Sequence, residues 1–168
     1  MKEIVREKEL AEVGRGLALG RWFVVYAPPG SGKTAFLAQL ERCLQASFTV
    51  SYVNLRACSG LKLEEVYNYL AGVIKPGANV QTALALRATL GELEGKRLLL
   101  IDDVGSLARD VAGPLLNTFS ALHSESRVNP SLKNLHIVLA ASRDLRVLSS
   151  GLLSCLNTLE EYFLPDFT

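Results

Sequence analysis

Charge of one sign, paired cysteines, clustered histidines and long apolar runs are all missing from this chain. Its 168 residues carry 18 Lys and Arg against 17 Asp and Glu, a formal net charge of +1. That balance supplies no electrostatic drive toward nucleic acid or an anionic membrane, although a local basic patch can still exist. The three cysteines, Cys43, Cys58 and Cys155, are far apart and share no CxxC spacing. They exclude a disulfide framework and a cysteine zinc site, and read as buried or free thiols in a reducing compartment, so a cytoplasmic location is expected. The two histidines, His123 and His136, have no Cys, Asp or Glu at ligand spacing, and His136 falls inside a strand pattern as a packed residue. No apolar stretch reaches the roughly 20 residues of a membrane helix. The opening Met1-Lys2-Glu3-Ile4-Val5-Arg6-Glu7-Lys8-Glu9 is too charged for a secretory signal.

What is present describes one globular domain with a substantial core: 49% hydrophobic and 21% charged residues, with no repeat and no long linker. Leu10, Val13 and Leu17 share a helical face, in a segment whose second half is weakened by Gly14, Gly16 and Gly20. Apolar runs predict strands at 21–26, 48–55, 97–103, 135–141 and 160–164. Helical spacing predicts helices at about 33–45, 60–74 and 80–93. Residues 106–126 also carry a helical pattern. Gly113-Pro114 predicts its division into two short helices, or a loop followed by a helix starting at Pro114. Strands alternating with helices argue for a mostly parallel sheet covered on both faces.

The most informative stretch is Tyr26 to Thr34, YAPPGSGKT. It follows a strand pattern and runs directly into a helical one. Strand, glycine loop, Lys-Thr and helix together form the layout of a phosphate-binding P-loop. Gly30 and Gly32 let the backbone curl so that N–H groups of Pro28-Pro29-Gly30-Ser31-Gly32-Lys33-Thr34-Ala35, prolines excepted, can surround an anion. The helix that starts at Lys33 adds the positive end of its dipole. Lys33 reaches the β- and γ-phosphates, and the Thr34 hydroxyl is a Mg²⁺ ligand. One position departs from the motif: Ala27 stands where the first glycine is expected.

Hydrolysis also needs a carboxylate for the metal and a group that organises water. Asp102 and Asp103 end the third strand pattern, at the pole of a parallel sheet where ligands bind. Asp102 is the candidate Mg²⁺ holder and Asp103 the candidate for orienting water; the competing reading is that the pair caps the next helix. The fourth strand pattern ends in Ser142-Arg143-Asp144, which makes Arg143 a candidate γ-phosphate sensor if the first and fourth strands are neighbours. Arg109, Arg127 and Arg146 are less placeable and remain open as arginine fingers for a neighbouring subunit. Ser142-Arg143-Asp144-Leu145 lacks the Asn/Thr-Lys-x-Asp stretch of guanine-specific P-loop proteins, which favours ATP over GTP.

APPGSGKT, LLLIDDV and VLAASRD together resemble the nucleotide-binding domain of the AAA+ superclass. The likeness is to its STAND branch, with the archaeal-type ATPases and NB-ARC proteins, and it covers residues 4–164. Arg6-Glu7-Lys8-Glu9-Leu10 is similar to the stretch that precedes the P-loop there, which implies an adenine pocket near Ile4, Val5 and Arg6. The resemblance implies a three-layer α/β/α domain over 1–168 with a five-stranded sheet of order 5-1-4-3-2. It implies a Mg²⁺-dependent ATP-binding protein, a slow ATPase that acts as a switch or assembly subunit through self-association or a protein partner. A nucleotide-binding scaffold with little hydrolysis and a DNA-handling ATPase of the recombination or replication-loader kind are the alternatives. Asp103 stands where many AAA+ ATPases have Glu. The family's helical lid is expected to be missing from these residues, which implies either a fragment or a minimal, partner-dependent paralogue.

Overall fold

A computed structural model describes residues 4–142 and 158–166. The five strands form one sheet of order β2-β3-β4-β1-β5, comprising β1 (Phe23–Tyr26), β2 (Thr49–Asn54), β3 (Arg97–Asp102), β4 (Leu135–Ala141) and β5 (Glu160–Phe163). Every pairing is parallel, so the order implied by the resemblance holds. Between the strands lie α1 (Glu7–Ala18), α2 (Lys33–Leu44), α3 (Leu63–Ile74), α4 (Ala83–Gly91) and α5 (Arg109–Ser126).

Side-chain alternation along the strands divides the core in two. Phe23, Val25, Leu98, Leu100, Val138 and Ala140 face α1 and α2. Val24, Tyr26, Leu99, Ile101, Ile137 and Leu139 face the opposite side, against α3, α4 and α5. The domain therefore has three layers. The same parity carries Tyr52 and Asp102 to the α2 side, which later decides where the site is built. Strand β4, at the centre of the sheet, is buried along its whole length, as a strand covered on both faces is, His136 included. His136 packs its ring edge against Phe48, and burial pushes its imidazole below the ordinary value. His123 packs at a tilt against Trp22, and burial lowers its imidazole as well.

Helix α5 and the start of α4 differ from the sequence reading, whereas α1 keeps to the segment expected to be helical. Residues 109–126 form one helix with Pro114 inside it, not two pieces. The proline sits early, so a single turn precedes it. Its cost of about 3 kcal/mol is outweighed because Val111, Leu115, Leu116, Phe119 and Leu122 form one buried stripe across it, each worth roughly 1.5–3 kcal/mol. Helix α4 starts at Ala83 rather than near Val80, because the Thr82 side chain accepts from the Ala85 N–H and fixes the N-terminus there. Helix α1 continues through Gly14 and Gly16 to Ala18. Gly16 owes its place to packing: a Cβ there would overlap the ring of Phe23, which is itself buried.

Among the described residues no helix is long and apolar enough to cross a membrane. Replacing Gly16 by Ala should lower stability by about 1–3 kcal/mol through overpacking, even though alanine is the better helix former. Urea unfolding at equilibrium measures this; a stabilised Gly16→Ala variant would show that the Phe23 ring yields freely.

Candidate functional site

The C-terminal ends of the parallel strands β1, β3 and β4 lie at one pole of the sheet. After β1 the chain enters the P-loop. Gly30 and Gly32 adopt φ +77° and +83°, a left-handed geometry that only glycine takes without strain. Gly32 also opens α2. Ala27, the departure from the glycine motif, is fully buried. Its φ is not positive, so alanine costs no backbone strain there.

The loop is tied through its carbonyl oxygens. Lys33 Nζ donates to Ala27 O at 3.0 Å and Pro28 O at 3.2 Å. The Ser31 hydroxyl donates to Pro28 O. From the other side Arg6, buried in spite of its charge, donates through Nη2 to Ser31 O at 3.1 Å and through Nη1 to Pro165 O at 2.8 Å. The Arg6 N–H reaches Gln39 Oε1, and Gln39 Nε2 reaches Ile4 O. Arg6 thus joins the N-terminal segment, the P-loop and the chain beyond β5, while Ile4 and Val5 are exposed.

At the end of β3 the Asp102 carboxylate is entirely removed from solvent. An isolated charge would not be buried there, and three donors meet it. Thr34 Oγ1 lies 2.7 Å and the Tyr52 hydroxyl 2.9 Å from Oδ2, and the Asp103 N–H lies 2.9 Å from Oδ1. Thr34 is on the first turn of α2 and Tyr52 on β2, so one carboxylate links the P-loop helix to two strands. Burial, with the hydrogen bond to Asp102 next, pushes the Tyr52 phenol up to about 12. The phenol keeps its proton and remains a donor throughout the physiological range.

Asp103 leaves the strand in a left-handed conformation, φ 55° and ψ 43°, the sole positive-φ non-glycine among the described residues. Its side chain does not cap the short 3₁₀ turn Val104–Ser106 that follows. It carries an ion pair to Arg56 instead, Nη2 to Oδ1, at 3.6 Å. A cavity of about 520 Å³ opens here, and Pro29, Gly30, Gly32, Lys33, Thr34, Arg56, Asp103 and Ser142 are among the residues that line it. The predicted residues Pro29, Gly30, Gly32, Lys33, Thr34 and Asp103 therefore converge on one space. Asp102 lies just beneath it through Thr34. Pro28 and Ser31 contribute carbonyls to the loop's own bracing, and Ala35 is exposed on α2. Arg143 lies outside the described residues, as do Asp144, Arg146 and Cys155.

A larger cavity, about 880 Å³, lies at the other end of the strands, between Trp22, Phe48, Lys96, Arg127 and Leu135. Of its cations, Arg21 follows the end of α1 and Arg127 the end of α5, near helix C-termini that attract positive charge, and the cavity holds none of the P-loop or Asp-Asp residues. Arg127 caps α5 there, away from the phosphate loop of its own chain. Cys58 is buried in the α3-side core, and its thiol is pushed up by that burial. Among the described residues no cluster of three or more His, Cys, Asp or Glu forms a metal site.

Tyr52 and Arg56 were not among the residues singled out from sequence. The alternation of β2 predicted that Tyr52 faces one layer, but not that a carboxylate fifty positions on waits for its hydroxyl. Tyr52→Phe should reduce stability by about 1.5–3 kcal/mol at neutral pH, the size of a hydrogen bond to a charged group. That contribution is full below the free phenol's value near 10 and is lost as pH rises through about 12. Tyrosine absorbance followed to high pH should show one late-ionising phenol fewer in the variant; an unchanged alkaline titration would remove the assignment.

The fold is shared with solved structures of low sequence identity. It is similar to the Aeropyrum pernix ORC1 protein, solved in complex with DNA, with a TM-score of 0.68 and 21% identity over 99% of this chain and 47% of that one. Cdc6p from Pyrobaculum aerophilum gives 0.65 and 19%, covering 94% of this chain and 45% of that one. The Aeropyrum pernix ORC2 protein, in ADPNP-ADP complexes, gives 0.63 and 16%, covering 98% and 48%. The chain thus spans about half the length of these structures. No curated protein matches it in sequence. A family model described as an AAA domain matches residues 20–148, the stretch that holds the P-loop, the buried Asp102 and β4. The chain belongs to the AAA domain family.

Proposed function

We propose that this domain binds ATP with Mg²⁺ at the C-terminal pole of the sheet and hydrolyses it slowly, as a nucleotide-controlled switch or assembly subunit. The observation that carries the reading is the 2.7 Å hydrogen bond from Thr34 Oγ1 to Asp102 Oδ2. It brings the two oxygen-bearing halves of a phosphate–metal site together on one side of the phosphate loop. Thr34 and Asp102 would hold Mg²⁺, which suits hard oxygen donors and supplies charge neutralisation for phosphoryl transfer when bound. The backbone of residues 28–35 cradles the phosphates. Lys33 turns from its loop carbonyls to the β- and γ-phosphates, Asp103 orients water, and Arg143 senses the γ-phosphate. ATP is favoured over GTP because the guanine-recognition stretch is missing after β4.

A DNA-handling role of the replication-initiator kind is the second reading. It is favoured by the similarity to an ORC1 protein solved in complex with DNA, while the near-neutral charge of the chain points away from broad phosphate contact. Duplex binding followed at rising salt separates the two. A steep loss of affinity supports DNA handling, and no binding at low salt removes it.

Lys33→Ala should weaken ATP binding at least about tenfold, as measured by calorimetry. Asp103→Asn should retain ATP and lose turnover by about 10²–10⁴-fold, the usual size of a lost proton acceptor, read as single-turnover phosphate release. Unaltered affinity and turnover in Lys33→Ala would sink the proposed site. Persistent turnover in Asp103→Asn would move the water-orienting role to another group.

A further inference from the structure

The cavity at the pole opposite the phosphate loop plays no part in the nucleotide-site reading, and its charge is one-sided. Arg21, Lys96, Arg127 and Lys133 line it, and among the described residues no carboxylate does. The fold, not the local sequence, gathers these cations. The Arg21 N–H donates to Gly16 O near the end of α1 at 3.0 Å. Arg127 caps α5. Lys96 and Lys133 each stand one residue before a partner in the next bond: the Arg97 N–H donates to Asn134 O at 2.9 Å, where β3 and β4 begin to pair.

Neutralisation within the domain falls short. Arg21 has Glu160 at 3.4 Å. Among the described residues Lys96, Arg127 and Lys133 make no ion pair, and all three are exposed. The C-termini of α1 and α5 reach this cavity, but each helix end supplies only about half a negative charge, roughly one against three. The surplus is local. The other 14 Lys and Arg face all 17 Asp and Glu, so the rest of the chain has a balance of −3. Two large apolar side chains share the site: Leu19, 74% exposed, and Val128, 81% exposed, both lining the cavity.

Unpaired cations beside exposed apolar side chains match a ligand that carries carboxylates and a large apolar group. A nucleic-acid backbone supplies the charge but nothing apolar for Leu19 and Val128 to cover. An extended polyanion would also run from the cavity onto a surface of the opposite balance, whereas a short segment stays within it. We propose that this cavity is a docking site for a short acidic segment of a partner protein, one that carries a large apolar residue among its carboxylates. Lys96, Arg127 and Lys133 meet the carboxylates, which sets specificity and speeds encounter, and Leu19 and Val128 cover the apolar residue.

Fluorescence anisotropy of a fluorescein-labelled peptide, EEDLEED, titrated with the full chain tests this. Saturable binding is expected, weakening as salt rises from about 0.05 to 0.5 M. The double variant Lys96→Glu, Lys133→Glu should weaken it about tenfold or more. The same charge change made elsewhere, Lys8→Glu with Lys62→Glu, should alter it less than about twofold. The peptide EEDSEED should bind the unaltered protein severalfold more weakly than EEDLEED, and the Leu19→Ser, Val128→Ser variant should no longer distinguish the two. That peptide comparison needs no charge reversal, so it decides the matter even if the lysine variant fails to fold, which thermal unfolding reports. Absence of saturable binding at low salt overturns the proposal, as does an equal loss in both charge-reversed variants. Displacement of the peptide by magnesium-ATP would move it to the phosphate loop and also overturn the assignment. A labelled DNA duplex that binds more tightly than the peptide, through the same two lysines, would make the cavity a nucleic-acid contact instead.

Discussion

A carboxylate without solvent is the constraint from which the geometry of this pole follows. Asp102 ends a strand whose preceding residues are buried on both faces, so its charge is carried inside by a backbone that cannot deviate. Every oxygen then needs a donor, and the donors come from three places: the first turn of α2, the adjacent strand β2 and the peptide that follows. Removing any of them leaves a buried charge short of a partner, which is costlier than losing a surface contact. The relative placement of phosphate loop and sheet is thereby locked by electrostatics as much as by the apolar contacts of Phe36, Leu37 and Leu40 beneath α2.

The phosphate loop is held by cations on both sides. Lys33 takes the carbonyls of Ala27 and Pro28, and Arg6 takes that of Ser31. Engaging these oxygens removes negative partial charge from the rim of a cavity suited to an anion. The two cations differ in freedom. Lys33 is a flexible ammonium on α2, able to release its carbonyls when a stronger partner arrives. Arg6 is buried and also holds Pro165 O, so it serves as a fixed brace from the N-terminal segment to the chain after β5.

Much of this was legible in the residues. The glycines and Lys-Thr of the P-loop dictate a local geometry that needs no tertiary information, and the run from Arg97 to Asp102 declares a buried strand ending in charge. Strand order came through the family resemblance, since periodicity alone does not say which strands are neighbours. What escaped was set by contacts distant in sequence. Pro114 reads as a helix break until the stripe from Val111 to Leu122 is seen to be covered by the sheet. Gly16 reads as a weak helical residue until the Phe23 ring is placed against it. Arg6 is a charged residue in a charged segment, and only the fold shows its head enclosed between the P-loop and Pro165. Tyr52 and Arg56 carry no motif because their roles depend on the β2–β3 register.

The left-handed backbone at Asp103 has a consequence for how this site can diverge. Aspartate, asparagine and glycine are the residues that accept such a φ most readily, and a longer side chain there meets local strain that its chemistry must offset. Codons for aspartate and glutamate differ by a single base, so the glutamate found at the corresponding position in many related ATPases is always within reach of mutation. A glutamate introduced alone at position 103 would report first on the conformational tolerance of the turn at the end of β3.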